Sequence, residues 1–322
     1  MDKHSIRTGV IGVGSLGQWH ARIYSELPAA ELVGVYDANF ERAAEIAERY
    51  HTRPFKDMAE LAGQIEAASI AVPADRHCEV ARTLIAQGVH LLVEKPIATR
   101  TDDAETMVKL AHDRNVILQV GHVERFNPVL RYLEQILVNP RFIEAHRLAP
   151  YPPPRPNQPP RGTEISVVLD LMIHDLEVIL HMVRSPVATI HAVGVPVLSA
   201  SEDIANVRLT FENGCVANVT TSRISPELMR KIRVFQEDTY ISLDYQKQAG
   251  ELYRKQDGRI VKTAVPIEKG EPLAVELAAF VDCVRNRAQP LVSGEQGAQA
   301  LRLAAEICRQ LRQQGVCAKN PS

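Results

Sequence analysis

Apolar residues in the first third of this chain come in short blocks separated by stretches with helical spacing. Thr8–Ile11, Leu32–Tyr36, Ala68–Val72, His90–Val93 and Val116–Val120 are compact apolar runs and are expected as buried strands. Between them, Leu16–Glu26, Phe40–Glu48, Cys78–Gln87 and Asp102–His112 have the pattern of helices. Strict alternation of the two predicts a parallel sheet covered by helices on both faces. Ligands in such sheets collect at the carboxyl ends of the strands. Those ends fall at Gly12–Gly14, Asp37, Val72–Pro73, Glu94–Lys95–Pro96 and Gly121–His122.

Past Phe126 the pattern changes. Tyr151-Pro-Pro-Pro-Arg-Pro-Asn-Gln-Pro-Pro160 is too rich in proline for a helix or an inner strand. An amphipathic helical stretch follows, from about Val167 to Met182. Six strand-like runs come next: Thr189–Val195, Ala205–Phe211, Val216–Thr221, Lys231–Gln236, Tyr240–Tyr245 and Ile260–Val265. Glu212-Asn-Gly-Cys215 reads as a hairpin turn. Short turns between adjacent strands predict an open, mainly antiparallel sheet. Apolar positions on both faces, as in Ile190–Val195 and Val207–Phe211, predict that helices cover one face and a second subunit the other. Helical patterns at Pro272–Asn286 and Glu295–Gln313 close the chain, and no internal repeat is present.

Glycines at the first strand end sharpen the picture. Gly12, Gly14 and Gly17 form G-x-G-x-x-G between the first strand and the first helix, and the second strand ends in Asp37. In that order Gly12 allows the tight turn, Gly14 lets a pyrophosphate approach the backbone, and Gly17 lets helix and strand pack closely. The helix amino terminus offers N–H groups to phosphate. An acid at Asp37 suits the ribose hydroxyls of NAD, and Ala38-Asn-Phe40 brings no arginine for a 2′-phosphate. The expected fold class is therefore α/β plus α+β. Residues 1–122 form a Rossmann NAD-binding domain, and residues 123–322 a substrate-binding and oligomerisation domain whose last helix can pack back on the first.

Bulk properties remove other classes. At 322 residues, 45% hydrophobic and 24% charged, the chain has the size of two domains and an ordinary globular composition. A net charge of −2 with interleaved signs gives no basic stripe for nucleic acid and no polybasic membrane segment. No apolar run approaches membrane-spanning length, and Met1-Asp-Lys-His-Ser-Ile-Arg7 lacks a signal-peptide pattern. Cys78, Cys215, Cys283, Cys308 and Cys317 are scattered without C-x-x-C spacing, so neither a zinc site nor a disulfide framework is expected. A cytoplasmic location and no bound metal are the expectations.

Two groups could carry chemistry. Lys95 ends the strand His90–Val93, where partial burial and a cationic nicotinamide would lower its pKa; a surface lysine before a proline bend fits equally well. Asp170 and His174 are four apart in a helical pattern, so a carboxylate can orient an imidazole for acid–base work. The same spacing also suits a structural pair. His181, one turn on, reads as a core or surface histidine.

Gly12–Gly17 with Asp37, Ala71-Val-Pro73 with His77, Glu94-Lys-Pro-Ile-Ala98, Gly121-His122 with Arg125-Phe-Asn-Pro128, and Asp170-x-x-x-His174-Asp175 occur in an order that resembles the glucose–fructose oxidoreductase, inositol dehydrogenase and MocA family. The resemblance covers essentially the whole chain. It implies NAD(P)-dependent oxidation or reduction of a sugar or cyclitol, with Lys95, Asp170 and His174 as the catalytic group. It also implies cofactor contacts from Gly12, Val13, Gly14, Ser15, Leu16, Asp37, Val72, Pro73, His77, Glu94 and Lys95, and substrate contacts from His122, Arg125, Asn127 and Arg161.

Thr163-Glu-Ile-Ser-Val-Val-Leu169 replaces a Gly-Gly run found in many members. With Gly121-His-Val-Glu-Arg-Phe-Asn-Pro128 and Arg230-Lys-Ile-Arg-Val-Phe-Gln236, it is similar to the UDP-N-acetylglucosamine 3-dehydrogenase subgroup. That likeness implies oxidation of the C3 hydroxyl to a ketone, which an aminotransferase then consumes for lipid A synthesis. A diphosphate would need cations, and Arg125, Arg155, Arg161, Arg223 and Arg230 are the candidates. An inositol or simple-sugar dehydrogenase of the same family is the alternative, and a non-catalytic NAD-binding protein a further one. A homo-oligomer, dimer or tetramer, is expected.

Overall fold

The computed structural model describes residues 5–155 and 160–317, with side chains to 313. The middle of the proline-dense loop, 156–159, lies outside the described residues, as does the extreme amino terminus. The first part runs β1 (Ile6–Ile11), α1 (Gly17–Glu26), β2 (Ala30–Tyr36), α2 (Phe40–Arg49), β3 (Arg53–Phe55) and α3 (Met58–Ala62). It continues through β4 (Ala67–Ile70), α4 (His77–Ala86), β5 (His90–Glu94), α5 (Thr101–Asp113) and β6 (Leu118–Gly121). Then follow α6 (Pro128–Ile136), β7 (Phe142–Leu148), a π-helical turn (Val168–Met172) and α7 (Ile173–Val183). Next come β8 (Val187–Val195), β9 (Ile204–Phe211), β10 (Val216–Ser222) and β11 (Met229–Phe235). The chain closes with β12 (Thr239–Asp244), β13 (Ala249–Gln256), β14 (Arg259–Ala264), α8 (Pro272–Asn286) and α9 (Gly294–Cys317).

Two compact units result. One holds the chain up to Phe126 together with Glu271–Leu301; the other holds Asn127–Gly270 and the chain from Arg302 onward. The first unit's sheet has the order β3-β2-β1-β4-β5-β6, with every neighbouring pair parallel. The order reverses at β1, between β2 and β4, which opens a crevice at the carboxyl end of β1. Val10 of β1, Val35 of β2 and Leu92 of β5 share one core with Ala21 and Tyr24 of α1. Leu277, Phe280 and Val281 place α8 in that same core. After α8 the chain pairs with β6, where the Val120 N–H donates to the Val292 carbonyl at 3.0 Å.

The second unit's sheet has the order β14-β13-β12-β11-β7-β10-β9-β8. Its pairs are antiparallel except β7 with β10, so it is mixed and mainly antiparallel. Asn213 and Gly214 (φ 84°) turn the β9–β10 hairpin, and the Asn213 side chain accepts the Cys215 N–H at 3.1 Å. On β9 the apolar side chains Val207, Leu209 and Phe211 all lie on the buried face, while Arg208 is exposed. The second face of β9 is therefore largely polar, contrary to expectation, whereas β8 does carry apolar positions on both faces, with Ala192 buried and Val193 and Val195 exposed. A ladder of rings does line successive strands: Phe142–Phe235, Phe235–Tyr240 and Tyr240–Tyr253 have centroids 5.5, 4.6 and 5.0 Å apart.

Candidate active site

The glycine loop is built as its spacing requires. Gly12 has φ 84°, and any side chain there would press on Val72. Gly17 opens α1 against the Gly12 carbonyl, where a Cβ would collide. Gly14 differs, since a Cβ there would meet nothing within 4 Å. Gly14 is exposed and faces open space, which leaves room for a pyrophosphate to approach the backbone. No side chain caps α1 at Leu16; instead the Gln18 and Trp19 N–H groups of the first turn donate to the carbonyls of Gly14 and Leu16, at 3.3 and 2.8 Å.

Asp37 finishes β2 beside this loop. Its carboxylate accepts the Val13 N–H at 2.9 Å and the Asn39 N–H at 2.9 Å, which orients it and leaves lone pairs for two hydroxyls. One arginine does approach. Arg42 reaches back from α2, but its guanidinium is committed to the Val13 carbonyl (2.9 Å), Glu45 (2.7 Å) and Gln18 (3.1 Å). These residues suit the diol of NAD better than a 2′-phosphate.

Across the sheet, Lys95 follows β5, half-buried, and its peptide bond to Pro96 is cis. Glu94 beside it is buried, and its Oε2 accepts the Lys95 N–H at 3.2 Å. His20 on α1, fully buried, places Nε2 3.1 Å from Glu94 Oε1. Burial raises the Glu94 carboxyl, but the His20 hydrogen bond and the neighbouring Lys95 outweigh it and hold the group below its ordinary value. His122, buried after β6, is pushed down to about 3, first by burial and then by Lys95 and Arg125, so its imidazole is neutral. His77 is also buried, with Nε2 3.0 Å from the Val72 carbonyl and Nδ1 3.0 Å from that of Pro96. It ties the loop after β4 to the loop after β5. Val72 is half-buried and Pro73 exposed in the first of those loops.

The second unit carries the Asp-His pair in an unexpected form. Asp170 lies in the π turn and His174 in the first turn of α7, both half-buried. The pair thus straddles a change of helix type, from the wider π turn to α7. Gly162 (φ 81°) backs directly on the Asp170 carboxylate. Next to His174, Asp175 forms a buried two-pronged ion pair with Arg147, at 2.7 and 3.2 Å.

The expected substrate residues separate. Arg161 is exposed. Asn127 is buried and caps α6: it accepts the Val129 N–H at 3.2 Å and donates to the Tyr245 carbonyl at 3.1 Å, so both ends of its amide are used. Arg125 is only 1% exposed. Arg223 is likewise buried, donating to Asp203 at 2.8 Å, to the carbonyls of Gly162, Ile165 (2.9 Å) and Glu202 (3.1 Å), and to Ser201 (3.2 Å). It clamps the segment leading to Asp170 rather than a ligand. Arg155 pairs with Glu164 at 2.8 Å, and Arg230 is exposed. His20, Arg147 and Asp203 escaped the sequence reading. Only His20 left a signal, a polar residue on the apolar face of α1 with Ala21, Ile23 and Tyr24.

Residues 6–122 match the family described as "Oxidoreductase family, NAD-binding Rossmann fold", and residues 134–242 match the "GFO/IDH/MocA C-terminal domain". The chain is 35% identical over 309 residues to the UDP-N-acetylglucosamine 3-dehydrogenase of Acidithiobacillus ferrooxidans, covering 94% of this chain and 96% of that protein. It belongs to the Gfo/Idh/MocA oxidoreductases. The solved structure of the same Acidithiobacillus enzyme superimposes with a TM-score of 0.89, covering 95% of this chain and 97% of that one. Myo-inositol 2-dehydrogenase of Thermotoga maritima is 25% identical over 317 residues, 92% of this chain and 94% of that protein. At 19% identity, levoglucosan dehydrogenase in complex with NADH and levoglucosan shares the fold, with a TM-score of 0.87 over 96% of this chain and 98% of that one. This chain is thus an NAD-dependent dehydrogenase of the family. No helix among the described residues is long and apolar enough to cross a membrane.

Proposed function

We propose that the protein oxidises the C3 hydroxyl of UDP-N-acetylglucosamine to a ketone. The observation that carries this reading is the 35% identity to a UDP-N-acetylglucosamine 3-dehydrogenase across 94% of the chain. The bound dinucleotide supplies the hydride acceptor. Gly12, Val13, Gly14, Ser15 and Leu16 hold its pyrophosphate on the glycine loop, and Asp37 takes the ribose hydroxyls. Val72, Pro73, Glu94 and Lys95 border the nicotinamide end, with His77 holding their loops in place. Hydride leaves the sugar carbon only as its hydroxyl proton departs, so a base must reach that oxygen. Lys95 and His174 share this proton transfer, Asp170 orients the imidazole, and the neutral His122 offers the sugar a hydrogen-bonding ring. Arg161 contributes charge for the diphosphate.

Oxidation of a secondary alcohol by NAD is unfavourable near neutral pH, so a cytoplasmic aminotransferase that consumes the ketone completes the reading, toward a diamino sugar for lipid A. A homo-oligomer belongs to it as well, with the ring-bearing face of the second sheet as the contact. The test is initial-rate NAD reduction with UDP-N-acetylglucosamine, myo-inositol and glucose in parallel. A kcat/KM highest for the UDP-sugar supports the proposal. Faster turnover of inositol or glucose replaces it with the simple-sugar alternative, and no turnover of any of them favours a non-catalytic NAD-binding protein.

A further inference from the structure

We propose that His20 is a positioning residue for Lys95, acting through Glu94: it fixes the buried carboxylate that steadies the ammonium formed when Lys95 takes a proton. This rests on the reading of Lys95 as a proton acceptor. His20 lies in the first turn of α1, fully buried, with Nε2 3.1 Å from Glu94 Oε1. Its Nδ1 is also buried and has no hydrogen-bond partner among the described residues. Nε2 is therefore the ring nitrogen that holds the Glu94 carboxylate in place.

The other carboxylate oxygen accepts the Lys95 N–H at 3.2 Å. Gly121 of β6 packs on the far side of Glu94, where a Cβ would stand 3.2 Å from its carboxylate. The titratable groups around Glu94 are His20 from α1, Lys95 on its own segment, His122 after β6 with Arg125 behind it, and His77 from α4. Burial keeps both His77 and His122 toward the neutral form. Lys95 is then the cation that a fixed negative charge at Glu94 serves. A lysine beside that charge is a stronger base, and one deprived of it a weaker base. His20 stands on the helix that opens at the glycine loop, so one element carries both the dinucleotide cradle and the group that sets the lysine's partner.

The test reads the lysine directly and without cofactor. Lysine side chains are reductively methylated with isotope-labelled methyl groups, the Lys95 signal is assigned by its loss in Lys95→Arg, and its titration is followed by NMR. His20→Leu and Glu94→Gln should each lower the Lys95 midpoint by roughly one unit. His20→Gln, whose amide can replace the Nε2 donor, should leave it near the native value. If His20→Leu does not fold, His20→Asn, too short to reach Glu94, takes its place. An unchanged midpoint in His20→Leu or Glu94→Gln overturns the proposal, as does a fall in His20→Gln equal to that in His20→Leu. In turnover, His20→Leu should lower kcat about tenfold and move the acid limb of the pH profile to lower pH. Full activity in Lys95→Met would instead overturn the reading of Lys95 and leave the measured coupling standing.

Discussion

Asp37 is the residue whose removal has the most calculable effect on cofactor binding. Its carboxylate accepts the Val13 and Asn39 N–H groups, each at 2.9 Å, and has lone pairs left for the ribose hydroxyls of the proposed NAD site. In Asp37→Ala, hydrogen bonds from the ribose to a charged acceptor disappear, which costs about 1.5–3 kcal/mol of binding. That is a weakening of roughly 10- to 150-fold in Kd for NADH. The Val13 N–H also loses its acceptor. Val13 itself is 0% exposed, so the variant should melt at a lower temperature as well as bind more weakly. Asp37→Asn keeps one acceptor oxygen and should fall between the two. The chain's single tryptophan, Trp19, lies on α1 just past the glycine loop and supplies the assay. Energy transfer from Trp19 to bound NADH gives Kd directly. The same titration with NADPH should show weak binding to the native protein, because Asp37 repels a 2′-phosphate and Arg42 is already engaged. Native affinity for NADH in Asp37→Ala, or equal native affinities for NADH and NADPH, would refute the reasoning.

Three further outcomes are expected. Lys95→Met and His174→Asn should each lower kcat by roughly a hundredfold or more while leaving NADH affinity nearly native, and Asp170→Asn should cost less; steady-state rates and the Trp19 titration check this together. Arg223→Met leaves the Asp203 carboxylate, 0% exposed, without its cation and frees the Gly162 and Ile165 carbonyls, so it should destabilise the second unit by about 3–5 kcal/mol in urea titration. His90 is pushed down to about 4 by burial and then by Arg287, while its Nδ1 accepts the Ile117 N–H. A histidine with a depressed folded pKa contributes stability that is fully present above its unfolded value and is lost as pH falls through about 4. Thermal melts across that window should therefore show a steep loss, and His90→Gln, which keeps an acceptor for Ile117, should show a shallower one.

The repeating strands and helices of the first sheet were legible because the longer strands each carry a compact apolar run and the longer helices between them are amphipathic. β3 and α3 were not expected from sequence: β3 is three residues at the sheet edge, with Pro54 inside it, and α3 is five residues long. β7 was hidden by Arg147, a charged residue on the buried face whose partner, Asp175, lies 28 residues away. No local pattern reveals such a pairing. α6 was legible in principle, since Asn127 and Pro128 form a helix start signal that was read instead as part of a ligand motif. The glycine loop with Asp37 could be read because strand, turn, helix and acid are contiguous or nearly so. The His20–Glu94 contact, 74 residues apart, depends on how α1 lies over the sheet, and the Arg223 contact to Gly162, 61 residues apart, is equally invisible to a local pattern.

The central claim is hydride removal from C3 of a nucleotide sugar. UDP-N-acetylglucosamine carrying deuterium only at C3 of the glucosamine ring, incubated with the protein, NAD and an aminotransferase with its amino donor, tests it most directly. The account predicts that the deuterium appears on the reduced nicotinamide and that initial rates fall relative to unlabelled sugar whenever hydride transfer limits turnover. Unlabelled NADH accompanied by a sugar that retains its deuterium, or no NADH from the UDP-sugar at all, would contradict it.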